Sequence, residues 1–235
     1  MPYEKLKTPL NVLLIGLFLT ILVAFESLYF VPWAPYFIIY AILAIILPLI
    51  IGSYKFGNLI TILKNHIRVF LTLIILSIAL LYLIDLIYVN SLRALGLFGN
   101  PYYDLSAALD LLAETAAVKF GIDADTAKLI YALYILLWAP IGEELFYRGY
   151  MYGELKKKTN IIPATLISTF FFGIRHSTHF LFLLPDFPLV AALYWALHAF
   201  IFGIIMVYAY EKTDSLYIPM LIHFLFNLIQ ALLPT

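Results

Sequence analysis

Seven stretches of the chain, at about 10–31, 36–53, 67–89, 126–148, 160–176, 188–210 and 215–233, are apolar over most of their length. Shorter segments between them hold most of the charged residues. The runs are rich in Leu and Ile, lack period-two alternation, and approach the roughly 20 residues needed to cross the hydrocarbon of a bilayer. A backbone in lipid must satisfy its own hydrogen bonds, so these runs predict helices rather than strands. The expected architecture is all-α, a polytopic transmembrane helical bundle of about seven spans. An eighth span at 104–120 is the alternative. That segment carries Asp104, Asp110, Glu114 and Lys119 among Leu and Ala, and it reads better as an amphipathic surface helix. Val31-Pro32-Trp33-Ala34-Pro35 marks the first turn, with an aromatic suited to the membrane interface. Pro48 predicts a kink in the second span. The polar linker at about 90–125 divides the chain into 1–125, N-terminal helices and linker, and 126–235, a C-terminal core. The two are read as parts of one membrane domain.

Composition makes lipid the solvent. Hydrophobic residues make up 64% of the 235 and charged residues 12%, whereas a soluble domain is about half apolar and a quarter charged. The 14 basic and 14 acidic residues balance, so nothing points to a nucleic-acid partner. The absence of cysteine excludes disulfides, thiolate metal sites and cysteine nucleophiles. Lys5 and Lys7 ahead of the first apolar run resemble a secretory signal, but no small-x-small site follows in Ala24-Phe25-Glu26-Ser27. The run is therefore read as a retained span. With the N-terminus inside, seven spans leave Lys5, Lys7, Lys55, Lys64, Arg68, Arg148, Lys156, Lys157, Lys158 and Lys212 on the inner side. Arg93, Lys119, Lys128 and Arg175 fall outside. Positive charge thus favours a cytoplasmic N-terminus in a multi-pass protein, placed in the cell membrane if the source is prokaryotic.

Four stretches in the C-terminal runs contain polar groups that lipid disfavours, the weakest being His198 with Gly203 in the sixth run. The first is Gly142-Glu143-Glu144-Leu145-Phe146-Tyr147-Arg148. A charge at the centre of a span costs about 2.5–3.5 kcal/mol on insertion scales. Neighbouring helical residues point about 100° apart, so the two glutamates have different partners. Glu144 and Arg148 are i and i+4 and can neutralise each other. Glu143 must find a partner on another helix or be protonated. The second stretch, Phe171-Phe172-Gly173-Ile174-Arg175-His176, offers His176. The third, His223-Phe224-Leu225-Phe226-Asn227, sets His223 and Asn227 on one face. At 1.5 Å per residue, Glu143 lies roughly 21 Å above Lys157, His176 roughly 24 Å above Asn160, and His223 and Asn227 roughly 14 and 20 Å above Asp214. The four fit around one cavity.

That set suits hydrolysis. A desolvated glutamate takes a proton more readily, so Glu143 beside His176 is placed to deprotonate water. His223 and Asn227 offer neutral donors to the oxyanion formed on an attacked carbonyl. Gly-x-Ser-x-Gly, paired aspartates with Gly-x-Gly-Asp, and His-Glu-x-x-His are all missing from the sequence, which argues against serine, aspartyl and common zinc chemistry.

Glu143-Glu144-x-x-x-Arg148, Phe172-x-x-x-His176 and His223-x-x-x-Asn227 resemble the three signature motifs of the CAAX protease and bacteriocin-processing family, which includes type II CAAX prenyl endopeptidases. The resemblance covers about 143–227. It implies an all-helical membrane peptidase with a water-filled cavity open to the inner side. Glu143, helped by His176, would activate the water. His223 and Asn227 would form the oxyanion hole, and Glu144, Arg148 and Phe172 would support them. It implies a peptide or prenylated protein C-terminus as substrate, in contact with membrane lipid. No cofactor is required; two His and one Glu are compatible with zinc without needing it.

Each motif alone has a plainer reading. Glu144–Arg148 is an ordinary helix pair, Asn227 is interhelical glue, and His176 is an interfacial residue, as Arg175 and His179 are expected to be. His198 reads as a packing histidine. Asp85 and Glu26, near predicted span ends, are expected to face headgroups or water. Two other function classes fit less well: a non-catalytic immunity or scaffold relative, and a proton-coupled transporter using Glu143. The latter commonly shows internal repeats, and none is legible here.

Overall fold

The computed structural model describes residues 2–29, 38–52, 54–99, 114, 117, 118, 121–183 and 188–232. They form seven helices, and no strand occurs among them. After a short 3-10 turn at Pro2–Lys7 come α1 (Pro9–Tyr29), α2 (Ile38–Ile51), α3 (Leu59–Ala94), α4 (Ala124–Lys158), α5 (Ile161–Leu183), α6 (Leu189–Thr213) and α7 (Tyr217–Leu232). Helices α3, α4, α6 and the Pro9–Ser27 stretch of α1 are long and apolar enough to cross a membrane. The seven expected runs are thus seven helices, in the order and class expected. The first turn at 31–35 and the segment 104–113 lie outside the described residues, while 114, 117 and 118 are helical.

The apolar surface faces outward, as lipid demands. On α1, Val12, Gly16, Leu19, Thr20, Val23, Glu26 and Ser27 are buried at spacings of three and four, while Leu10, Leu14, Phe18, Ile21 and Phe25 are exposed. Polar residues therefore lie on the inner face and large apolar ones on the outer. Thr20 and Ser27 satisfy themselves by donating to the carbonyls one turn back, Gly16 and Val23. Helix α1 packs on α5, α2 on α4, and α3 on α6 and α7. One core cluster runs from Val12 to Phe226, so the N-terminal helices close around the C-terminal ones.

Several expectations need correcting. Glu26 does not face headgroups: it is fully buried, and its carboxylate accepts the Ile39 and Tyr40 backbone N–H groups at 2.8 and 3.1 Å. It caps α2 from a neighbouring helix, satisfying donors that every helix start leaves open. Asp85 accepts a hydrogen bond from Tyr194 and lies 3.8 Å from His198 Nε2, so it faces α6. Helix α3 begins at Leu59, capped by Asn58 accepting from Thr61 N–H. The expected start near 67 coincides with a break at His66, where φ is −121° and ψ is 18°. Helix α2 carries Pro48 within it and ends three residues later, at Ile51.

The ends of α4 and α6 and the α2–α3 and α6–α7 connections meet at one end of the bundle. Lys55 pairs with Asp214, and Lys156 with Glu211. The Leu216 N–H donates to the Lys55 carbonyl at 2.9 Å. Asp214 takes φ +49° as the left-handed cap of α6, a conformation Asp tolerates better than most residues. The basic loops assigned to the inner side are therefore joined in space.

The decisive local feature is α4. It begins at the N-cap Asp123, whose carboxyl accepts from Thr126 and is held below its usual range by those bonds. The helix then widens twice into π turns, at Tyr134–Trp138 and Glu144–Tyr152, on either side of the α-helical Ala139–Glu143. Such i→i+5 turns hold more residues per turn and recur at functional sites.

Candidate active site

Glu143 and Glu144 stand where α4 passes from its α-helical turn into the second π stretch. Both are essentially inaccessible, and they face different neighbours. Glu144 Oε1 accepts from Arg148 Nη1 at 2.9 Å, the expected i,i+4 pair. The same oxygen accepts from His223 Nδ1 at 2.8 Å. Glu144 therefore joins the first motif to the third, a contact that helix spacing cannot reveal. The Arg148 guanidinium lies 4.2 Å above the Phe172 ring, and Phe172 in turn packs its ring 4.4 Å from His176. Phe172 thus holds the second motif against the first.

Glu143 has a different partner from the one anticipated. Arg175 Nη2 lies 2.9 Å from Glu143 Oε1. Arg175 is 4% exposed and is not at the membrane interface. Its guanidinium also reaches the Tyr134 hydroxyl at 3.3 Å and His176 Nε2 at 3.4 Å, and it stacks over the Tyr40 ring at 4.7 Å. The signal in the sequence was present: an arginine inside an apolar run marks a functional position by default. The side chain of His179 lies outside the described residues. With neutral histidines, Glu143, Glu144, Arg148 and Arg175 form an electroneutral cluster. Burial of four charges requires such balance, because an unpaired charge in low dielectric is costly.

The tautomers follow from the acceptors. His176 Nδ1 lies 2.8 Å from the Phe172 carbonyl oxygen, which can only accept, so Nδ1 carries the proton and the neutral ring has its lone pair on Nε2. That Nε2 is 3.8 Å from Glu143 Oε2. His223 Nδ1 is committed to the Glu144 carboxylate, and its Nε2 is 3.9 Å from Glu143 Oε2. The expectation that His223 is a neutral donor to an oxyanion is thereby corrected. The neutral ring presents a lone pair, and Nε2 donates only when the ring carries a second proton. Arg175 engages Glu143 Oε1, while Oε2 faces the two histidine Nε2 atoms without a direct hydrogen bond to either. Gaps of 3.8 and 3.9 Å between polar atoms are too long for direct bonds and of a length that one water bridges.

Asn227 extends from α7 to α4, where its Nδ2 donates to the Ile135 carbonyl at 2.9 Å. Glu143, His176 and His223 meet where α4, α5 and α7 converge, and Asn227, one turn further along α7, reaches α4 at Ile135.

Gly203 on α6 completes the packing. A methyl group there would sit 3.0 Å from Thr169 Cγ2 and 3.2 Å from Arg148 Nη2. Ser168 on α5 donates to the Tyr147 carbonyl at 2.7 Å, fastening α5 to the π stretch.

Residues 125–229 match the family model described as type II CAAX prenyl endopeptidase Rce1-like. This stretch of the chain is similar to the Rce1-like family. Its match begins at the start of α4 and ends within α7, so it contains Glu143, Glu144, Arg148, Phe172, Arg175, His176, His223 and Asn227. It also bears out the resemblance read from the three motifs. No curated protein and no solved structure matches the chain. The Rce1-like family is one of membrane proteases, and the long apolar helices accord with an integral membrane protein.

Proposed function

We propose that the protein is an intramembrane endopeptidase that hydrolyses a peptide bond close to the membrane, with a peptide or a prenylated protein C-terminus as substrate. The observation that carries this reading is the approach of Glu143 Oε2 to within 3.8 Å of His176 Nε2 and 3.9 Å of His223 Nε2. A water between these atoms donates a proton to Glu143, and its oxygen attacks the scissile carbonyl. The tetrahedral oxyanion accepts a hydrogen bond from Asn227, and the Glu144 carboxylate holds the neutral His223 ring beside the reacting water. Collapse expels the amine, which takes the proton back from Glu143. His176, locked by the Phe172 carbonyl, orients the water through Nε2.

Arg175 supports a metal-free version of this chemistry. A guanidinium 2.9 Å from Glu143 supplies the positive charge that a divalent ion would bring, and it repels such an ion. Glu144, Arg148 and Phe172 hold the histidines in place. The protein would act within a membrane, the cell membrane if the source is prokaryotic, among lipids that also hold its substrate.

The test is mass spectrometry of products after incubating the detergent-purified chain with a prenylated peptide library. Cleavage near the prenylated C-terminus that Glu143→Ala abolishes is the expected result. Absence of any product from the wild-type chain, across prenylated and plain apolar peptides, would overturn the reading.

A further inference from the structure

Within the first π stretch, the Ala139 N–H bonds to the Tyr134 carbonyl, five residues back. In the same register the next carbonyl, Ile135, should receive the N–H of residue 140. Residue 140 is proline, which has no N–H. The Ile135 carbonyl is left without its donor in that ladder, and a backbone carbonyl inside a bundle needs one. Asn227 Nδ2 supplies it at 2.9 Å.

We infer that Pro140 is a positioning residue for Asn227. By withholding an N–H from Ile135 it creates a fixed acceptor on α4, and that acceptor orients the Asn227 carboxamide. The orientation is not arbitrary. A carbonyl can only accept, so the NH₂ end of Asn227 must face Ile135. One of its two hydrogens is used there, and the second is left pointing away at the fixed angle of a planar amide. The inference rests on the reading of Asn227 as an oxyanion donor, which needs that second hydrogen to be held in place. A freely rotating carboxamide would present its oxygen half of the time, and an oxygen repels the developing negative charge. Pro140 is itself buried, three residues before Glu143, so one short segment of α4 aims both the base and the donor.

The experiment compares Pro140→Ala, Asn227→Ala and the double variant, each as the full chain in detergent, by steady-state cleavage of a prenylated peptide and by thermal unfolding. Pro140→Ala returns an N–H to the segment and frees Asn227. A group displaced by about 1 Å loses on the order of 10²-fold in rate, so kcat should fall to that extent with KM little changed. Alanine is the better helix former, so the unfolding midpoint should hold or rise. The Asn227→Ala background should abolish the effect of Pro140→Ala on kcat. Pro140→Ser, which restores the same N–H, should reproduce the loss. Equal fractional losses in both backgrounds overturn the inference, as does failure of both Pro140 variants to fold. If Asn227→Ala itself turns over normally, the oxyanion reading fails, and unfolding alone decides the inference. Non-additive midpoints would then uphold the contact between Pro140 and Asn227, and additive midpoints would overturn it.

Discussion

His223 Nδ1 donates to Glu144 Oε1 at 2.8 Å, and that oxygen also accepts from Arg148 Nη1 at 2.9 Å. A single carboxylate oxygen thus orients the histidine of the third motif and neutralises the arginine of the first. Glu143, its neighbour in the chain, pairs with Arg175 through Oε1 and turns Oε2 toward His176 and His223. Adjacent glutamates divide the work because a helix turns them to different sides.

Glu143→Gln should preserve expression and fold while removing the base. General-base assistance contributes typically 10²–10⁴-fold, and turnover of the prenylated peptide should fall by at least that much. Near-normal cleavage by this variant would remove Glu143 from the base role.

Arg148→Ala should lower thermal stability as well as activity. It leaves the buried Glu144 with only a histidine partner, and breaking a buried ion pair costs roughly 3–5 kcal/mol. The check is the unfolding midpoint in detergent. Wild-type stability with lost activity would instead assign Arg148 a direct contact with substrate.

Asn227→Ala should reduce kcat by about 10²–10³-fold, the usual loss for one oxyanion donor, with little change in KM because the contact strengthens mainly in the transition state. Asn227→Asp should be slower still than its shape suggests, since an ionised carboxylate repels the oxyanion. A raised KM at unchanged kcat would place Asn227 in substrate binding.

Gly173→Ala should destabilise the bundle. Its new methyl would lie 2.6 Å from the Ala196 carbonyl oxygen, a backbone atom that moves only if α5 and α6 separate. Overpacking of this kind costs typically 1–3 kcal/mol. Because Gly173 sits between Phe172 and His176, activity should fall with stability, and a thermal scan beside a cleavage assay reads both.

Activity should survive chelation, and elemental analysis of active protein should show no stoichiometric zinc. Loss of activity on chelation with recovery by zinc alone would turn the proposed glutamate–water chemistry into metal–water chemistry.

Helix number and order, the membrane environment and the three motifs were legible in the chain because they depend on local composition. An apolar run of a given length forms a helix in lipid whatever its neighbours, and Glu144–Arg148 is fixed by i,i+4 spacing within one element. Glu26, Asp85 and Arg175 were misplaced for one common reason. A charged residue in an apolar run has two physical solutions, the interface or a partner on another helix, and linear position does not choose between them. Tertiary packing chose the partner in each case: the open N–H groups of α2 for Glu26, Tyr194 for Asp85, and Glu143 for Arg175. It also decided which proton each histidine carries, since that depends on the Phe172 carbonyl and the Glu144 carboxylate being brought to Nδ1. The π turns of α4 lay beyond the sequence pattern as well. Their cost is repaid only by contacts with other helices, such as Ser168 on the Tyr147 carbonyl and Asn227 on the Ile135 carbonyl. The sequence by itself determined which residues carry the chemistry; only the packed bundle decided which atoms of those residues face one another.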